Sequence, residues 1–426
     1  MGVLLLAGSM MVYMLIGAPI WESITFAGIV SVLSRGGSLS AVISRLYNAN
    51  DNFPLMAIPF FFLAGELMLR GGIAQHIVDF SKVFLGQFKE SLAIITFVAC
   101  AFFGAISGSS YATTVTIGKI MYPEMCKDGY KPDFAAALQA IGGTLGVLIP
   151  PSILCIIYGV ATGSSVGDML LWIAPVGIFT MFVYIFTVIF LLRSKKNDKL
   201  IPAARVEIQK PTLRIMFDRF KGAFWALLTP IIILGGIYAG IFTPTECAVV
   251  AVVYAWLVGI FVYKKLSIKT TLKAILNASV GSASVIIIVN AANLFSWCLT
   301  INNVGPSIAN IVQSNIHSVV IFLLAVNVTY LIAGMFVEGS VTITIITPLL
   351  FPIAIAFGLN PIHFGVITIL NCIIGTTTPP FGGAVFVTTG FSQIPVSNLF
   401  KEVMPFTIAG FVACLLVTYF PFLWLY

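Results

Sequence analysis

Charge is scarce in this 426-residue sequence, and the residues of metal and redox chemistry are nearly absent. Asp, Glu, Lys and Arg together make up 9% of the chain, against about 25% in a typical soluble domain. Twenty-two basic and 15 acidic side chains cannot cover the surface of a water-soluble protein of 45.8 kDa. The three histidines, His76, His317 and His363, lie too far apart for an HxxxH pair, and the seven cysteines form no CxxC. That excludes a metal site by spacing and a disulfide framework. No GxxxxGK[ST] and no GxGxxG after a strand occur, so neither ATP hydrolysis nor nicotinamide chemistry is encoded. A polytopic membrane enzyme would need paired carboxylates or a His/Cys constellation at bilayer depth, and neither is present.

What the sequence has is apolar length. Hydrophobic residues make up 59% of the chain, in continuous runs rather than the alternating ten-residue segments of an outer-membrane barrel. The expected fold is an all-α polytopic membrane protein. At a span plus connection per roughly 30–40 residues there is room for about eleven to thirteen crossings, and the expectation is about eleven transmembrane helices plus two re-entrant hairpins at the Gly/Ser segments after Gly108 and Gly339. The opening MGVLLLAGSMMVYMLIGAPIW has no basic n-region and reads as a retained first span rather than a signal peptide.

The +7 net charge is concentrated. Residues 1–192 carry 8 basic and 9 acidic side chains, 193–273 carry 13 and 4, and 274–426 carry 1 and 2. The excess lies in two stretches, Arg193 to Lys221 and Lys264 to Lys273, both expected in the cytoplasm by the positive-inside rule. The chain between them must then cross and return. It reads as two apolar runs around Thr243-Pro244-Thr245-Glu246, where Thr243 and Glu246 form a capping box with Pro244 at the first helical position.

A self-match at a spacing of 229 divides the chain. Pro123 pairs with Pro352, Gly129 with Gly358, Pro132 with Pro361, Gly146 with Gly375, and Pro150-Pro151 with Pro379-Pro380. Gly108-Ser109 and Gly339-Ser340 match only at 231. The expected organisation is a first repeat half at 1–192, a joint of basic loops and connecting helices at 193–273, and a second half at 274–426. Repeated hydrophobic segments interrupted by Gly and Pro are a signature of secondary transporters.

The interruptions carry the chemistry. A proline pair inside an apolar run opens the helix, and open backbone at bilayer depth survives only where it is buried or lines a polar cavity. Carbonyls from Gly146 to Ile149 and from Gly375 to Thr378 become available as hard oxygen ligands for Na+. Hydroxyls stand beside them: Thr144, Ser152, Thr376, Thr377 and Thr378 at the breaks, and Ser109, Ser110, Thr113, Ser340, Thr342 and Thr344 after Gly108 and Gly339. Half-helix N-termini can receive an anion. The candidate substrate-binding residues are therefore Ser110 and Thr113, with Phe381, Gly382 and Gly383 after the second proline pair. Glu338, the one acid between residues 247 and 401, either neutralises a bound cation or caps the hairpin tip.

The blocks FPLMAIPFFFLAGELM (53–68), GAISGSSYA (104–112), LIPPS (148–152), GIFTPTECA (240–248) and TTPPFG (377–382) resemble the large membrane subunit of tripartite ATP-independent periplasmic (TRAP) transporters. The similarity covers nearly the whole chain in the right order. It implies a bacterial inner-membrane importer of organic anions, an elevator-type carrier driven by Na+. A periplasmic substrate-binding protein and a separate small membrane subunit would be its partners. Carried over residue by residue, the Na+ ligands would be Ser107, Gly108, Ser109, Gly142, Gly146 and Pro150 in the first half. In the second they would be Gly339, Ser340, Thr342, Gly375, Thr377, Thr378 and Pro379. The substrate class implied is a carboxylate, such as sialic acid or a C4-dicarboxylate, or a sulfonate. The alternative is a stand-alone ion-coupled carrier of the same architecture that needs no partner.

Overall fold

The computed structural model describes residues 2–85, 90–194 and 213–421, and every regular element among them is helical. Most of the basic stretch between Arg193 and Lys221 lies outside the described residues. Eight helices are long and apolar enough to cross a membrane, or nine if the bent pair Pro132–Leu148 and Ile153–Thr162 forms one span. The eleven expected from length are thus not all met by single long helices. Several apolar helices are instead short, among them Ser91–Ser107, Pro361–Gly375 and Gly383–Ser392. Outward faces match a lipid surround: Phe182, Phe186 and Phe190 form an exposed i, i+4, i+8 stripe on Val166–Arg193.

Local chemistry sets the helix ends. Thr243 Oγ1 accepts from the Glu246 N–H at 3.3 Å and a Glu246 carboxylate oxygen accepts from the Thr243 N–H at 2.8 Å, the capping box read from the sequence. Proline opens Pro132–Leu148, Pro244–Leu257 and Pro361–Gly375, where the missing N–H would have had no helical partner.

Two runs of helices have the same order. In the first, a hairpin of Ser91–Ser107 and Ser110–Lys127 is followed by the broken pair Pro132–Leu148 and Ile153–Thr162, then by Val166–Arg193. In the second, a hairpin of Val319–Phe336 and Gly339–Ala356 is followed by the broken pair Pro361–Gly375 and Gly383–Ser392, then by Val396–Tyr419. The inner hairpin arms start 229 positions apart and are both 18 residues long. This pairs Ser110 with Gly339, so the two-residue slip expected from the Gly-Ser letters is not needed. Glu338 stands where the first run has Ser109.

Each hairpin packs on the first half of its own broken pair, and the second half reaches across to the other run. The Tyr158 hydroxyl donates to the Pro361 carbonyl at 2.6 Å, and the Tyr122 hydroxyl donates to the Ser392 carbonyl at 3.4 Å. Around this body stand Ala57–Arg70, Pro244–Leu257 and the 34-residue Ile268–Ile301, which packs on Ala57–Arg70, Ile20–Leu33 and Gly339–Ala356.

Candidate functional site

Close backbone approach brings the hairpin tips and the breaks together. A Cβ on Gly104 would lie 2.6 Å from the Gly146 Cα, and one on Gly375 would lie 2.7 Å from the Gly334 Cα. These two glycine crossings occupy matching places in the two runs. Any side chain there would push an outer hairpin arm off its broken helix. Gly108 ends Ser91–Ser107 at φ 62, and a Cβ on it would sit 2.6 Å from the Pro151 carbonyl oxygen. Its own carbonyl accepts from the Ile153 N–H at 3.4 Å, which ties the first tip to the far side of the proline break. Pro150-Pro151 and Pro379-Pro380 are both cis.

A small central pocket of about 50 Å³ forms where the tips meet. Gly108, Ser109 and Ser110 line it from the first hairpin, and Glu338, Gly339 and Ser340 from the second. Thr376 joins from the second break and Ile153 from the first. Ser110 and Ser340 are 6% and 1% exposed, and neither hydroxyl oxygen makes a bond that meets hydrogen-bond geometry. The Glu338 carboxyl stands beside Ser340. Ser110 is thus a buried hydroxyl without a partner, and Ser340 has only the Glu338 carboxyl beside it, an arrangement that is costly unless something binds there.

The threonines behave differently. Thr113 and Thr342 donate to the carbonyls of Ser109 and Glu338 at 2.8 and 3.1 Å, and Thr344 donates to Ser340 at 2.6 Å. Thr376 donates to Ile373 at 2.7 Å, while Thr377 and Thr378 both donate to Ile374 at 2.8 Å. With the proton engaged, the oxygen lone pairs of Thr342, Thr344, Thr376 and Thr378 stay available to a cation, whereas Thr113 and Thr377 also accept from Ser107 and Thr407.

Not every residue singled out from the sequence reaches the pocket. Ser107 and Thr113 sit behind the first tip, 3.0 Å apart through their hydroxyls, with Gly146 packed against Thr113. Gly142 faces the Cys100 sulfur, and Thr377 turns toward Thr407 on the last helix, hydroxyl to hydroxyl at 3.2 Å. Pro150 is buried, Pro379 is half-buried, and Gly375 is held in the crossing with Gly334. Phe381 is exposed and packs on Phe336 at 5.8 Å between ring centres. Gly382 is left-handed at φ 54, and Gly383 lies against the Tyr111 hydroxyl. Tyr111 lines the central pocket and links it to Gly383, a role that residue type alone did not signal. Phe62 and Val285, which close the pocket from the surrounding helices, are ordinary apolar residues and were equally illegible.

Paired helical hairpins and broken helices around a small buried pocket define the class, a multi-pass helical membrane protein. Two solved transporters share the fold. The chain superposes on the Alcanivorax borkumensis YdaH transporter with a TM-score of 0.65 at 16% identity, covering 91% of this chain and 89% of that one. For Neisseria gonorrhoeae MtrF the TM-score is 0.62 at 13% identity, covering 89% and 84%.

Residues 7–423 match the family described as tripartite ATP-independent periplasmic transporter, DctM component, and the chain belongs to that family. It is 37% identical over 384 residues to the C4-dicarboxylate TRAP transporter large permease protein DctM of Pseudomonas aeruginosa, spanning 90% of this chain and 88% of that protein. It is 32% identical to the sialic acid TRAP transporter large permease protein SiaM of Vibrio cholerae, spanning 95% and 93%. Against the isethionate TRAP transporter permease protein DctMQ of Oleidesulfovibrio alaskensis it is 34% identical, spanning 98% of this chain and 65% of that protein. The protein is a transporter permease, not an enzyme.

Proposed function

We propose that this chain is the large subunit of a TRAP system that imports an organic anion across the bacterial inner membrane, driven by Na+. The observation that carries the proposal is the meeting of two hairpin tips at one pocket, where the buried Ser110 hydroxyl has no partner and the buried Ser340 hydroxyl has only Glu338 beside it. Two runs of helices with one order suit a duplicated carrier whose hairpin body moves as a unit against the surrounding helices. Na+ would be held by tip and break oxygens: Ser107, Ser109 and Thr113 with Gly146 on one side, Ser340 and Thr342 with the Gly375–Thr378 carbonyls on the other. Among the described residues no Lys or Arg lines the central pocket, so the anion would be met there by hydroxyls and backbone N–H groups. Relatives named for a C4-dicarboxylate, sialic acid and isethionate support a small carboxylate or sulfonate as the cargo class. A periplasmic binding protein and a separate small membrane subunit are the proposed partners.

The test is uptake in proteoliposomes holding this chain with its small subunit, under imposed Na+ or H+ gradients. Candidate acids are added with and without the binding protein. Uptake that needs both an inward Na+ gradient and the binding protein is expected. Uptake without the binding protein would favour the stand-alone carrier, and indifference to Na+ would refute the coupling.

A further inference from the structure

A second cavity, of about 360 Å³, lies one helical turn from the central pocket, and its wall holds the cation that the central pocket lacks. Three helices run from one cavity to the other. Ile153–Thr162 gives Ile153 and Leu154 to the central pocket, then Ile157, Val160 and Ala161 to the larger cavity. Gly339–Ala356 gives Gly339 and Ser340 to the first, then Thr344 and Pro348 to the second. Ile268–Ile301 contributes Val285 to the first and Asn293, Ser296, Trp297 and Thr300 to the second. The larger cavity therefore lies toward the end of the long helix that is opposite the Lys264–Lys273 basic segment.

Arg45 stands in this cavity from the short helix Leu39–Asn48, whose start is fixed by Ser38 accepting from the Ala41 N–H at 3.3 Å. Its guanidinium carbon lies 5.0 Å over the Trp297 ring, and it makes no ion pair among the described residues. An aromatic face orients a guanidinium without neutralising it. The planar donor fork is left free to grip a carboxylate or sulfonate by two hydrogen bonds. Asn293 and Ser296 supply neutral donors around it, while the Thr300 hydroxyl donates to the Ser296 carbonyl at 3.0 Å.

We propose that Arg45 and Trp297 form an outer station for a small organic anion, in series with the central pocket. The station binds the anion by charge without needing Na+. It then passes the anion, one turn along Ile153–Thr162 and Gly339–Ala356, to a pocket where, among the described residues, the one charged side chain is the acidic Glu338. This deepens the carrier reading and rests on it for the direction of travel; binding at the station itself does not.

The test is direct binding in Na+-free choline buffer to the purified full-length protein. Choline salts of succinate, N-acetylneuraminate and isethionate are titrated, and Trp297 emission is taken as the difference between the parent and Trp297→Phe. The expected result is a saturable change with at least one anion, absent with choline chloride. Arg45→Gln should raise half-saturation at least tenfold, Arg45→Lys should keep only part of the affinity because it retains the charge but not the fork, and Lys269→Gln, at the opposite end of the long helix, should leave it unchanged. No change in the parent, a change that chloride reproduces, or one that survives Arg45→Gln would overturn the station. Na+-driven uptake, measured separately, reads the carrier itself. Its failure with Arg45-dependent binding intact would refute the carrier and leave the station standing.

Discussion

Ser110 and Ser340 line one pocket although 230 positions separate them in the chain, and both hydroxyls are buried there, the second beside Glu338. If they touch the cargo or its coupling ion, removing the oxygen should be felt in function and hardly at all in folding. Ser110→Ala and Ser340→Ala should each raise half-saturating Na+ or anion roughly five- to a hundredfold, from about 1–3 kcal/mol of lost polar contact to a charged group. Initial uptake rates across a Na+ and anion titration measure this. Unchanged half-saturation for both ligands in both variants would remove these serines from the site. Thr377 makes a useful contrast, since its hydroxyl is engaged by Ile374 and Thr407.

At the scale of elements, the two runs are held by different glue. In the second, Asn371 Nδ2 donates to Asn327 Oδ1 at 2.6 Å, and Thr418 donates to the same oxygen at 3.2 Å, all fully buried. This network clamps Val319–Phe336 to Pro361–Gly375 and to the last helix. The matching place in the first run has Gly142 against Cys100. Asn327→Ala should therefore lower thermal stability by about 1–3 kcal/mol, by stranding the Asn371 amide. Half-saturating Na+ should stay within about twofold, because Asn327 lies roughly 15 Å along its helix from the tip. A melting curve and a Na+ titration on the same preparation decide it.

Another element-scale contact involves His76, on the amphipathic helix Ile73–Leu85, whose ring stacks on Tyr263 at 4.4 Å. Partial burial, then the nearby Lys265, lowers its pKa from the usual 6.5, and Asp79 opposes this. A lowered value means the unfolded chain takes up the proton more readily. The contribution of His76 is thus present above pH 6.5 and lost as pH falls below it. Thermal stability should drop between pH 7.5 and pH 5.5, and by less in His76→Phe. An equal drop in both would assign the acid sensitivity to other groups.

For the whole molecule, charge sets the expected sidedness. The Lys264–Lys273 segment should face the cytoplasm, which puts the Thr243–Glu246 capping box on the other side of the Pro244–Val262 span. Lys269→Cys should resist an impermeant thiol reagent applied from the periplasm, and Ile241→Cys, exposed beside the capping box, should react. The seven native cysteines are free and six are buried, so their background labelling should be low. Reversed labelling would invert the orientation and place the Arg45 cavity on the cytoplasmic side.

Much of this was legible in the sequence because it is local or compositional. Too little charge for a soluble surface dictates a membrane protein. The Thr243–Glu246 box needs only four residues, and prolines at 132 and 361 announce helix starts wherever the chain folds. The glycine, proline and hydroxyl spacing marked where helices would break. Letters misled where they matched by type rather than place: the Gly-Ser pairs suggested a slip, while the helices pair Ser110 with Gly339 and set Glu338 opposite Ser109. Tertiary packing alone decided which hydroxyls face the pocket and which, like Thr377, are spent on another helix. It also set Gly142 against Cys100, brought Tyr111 to Gly383, and laid Arg45 over Trp297, 252 positions away. Those facts depend on how helices cross, and a crossing is fixed by the shape of both partners, which neither segment carries by itself.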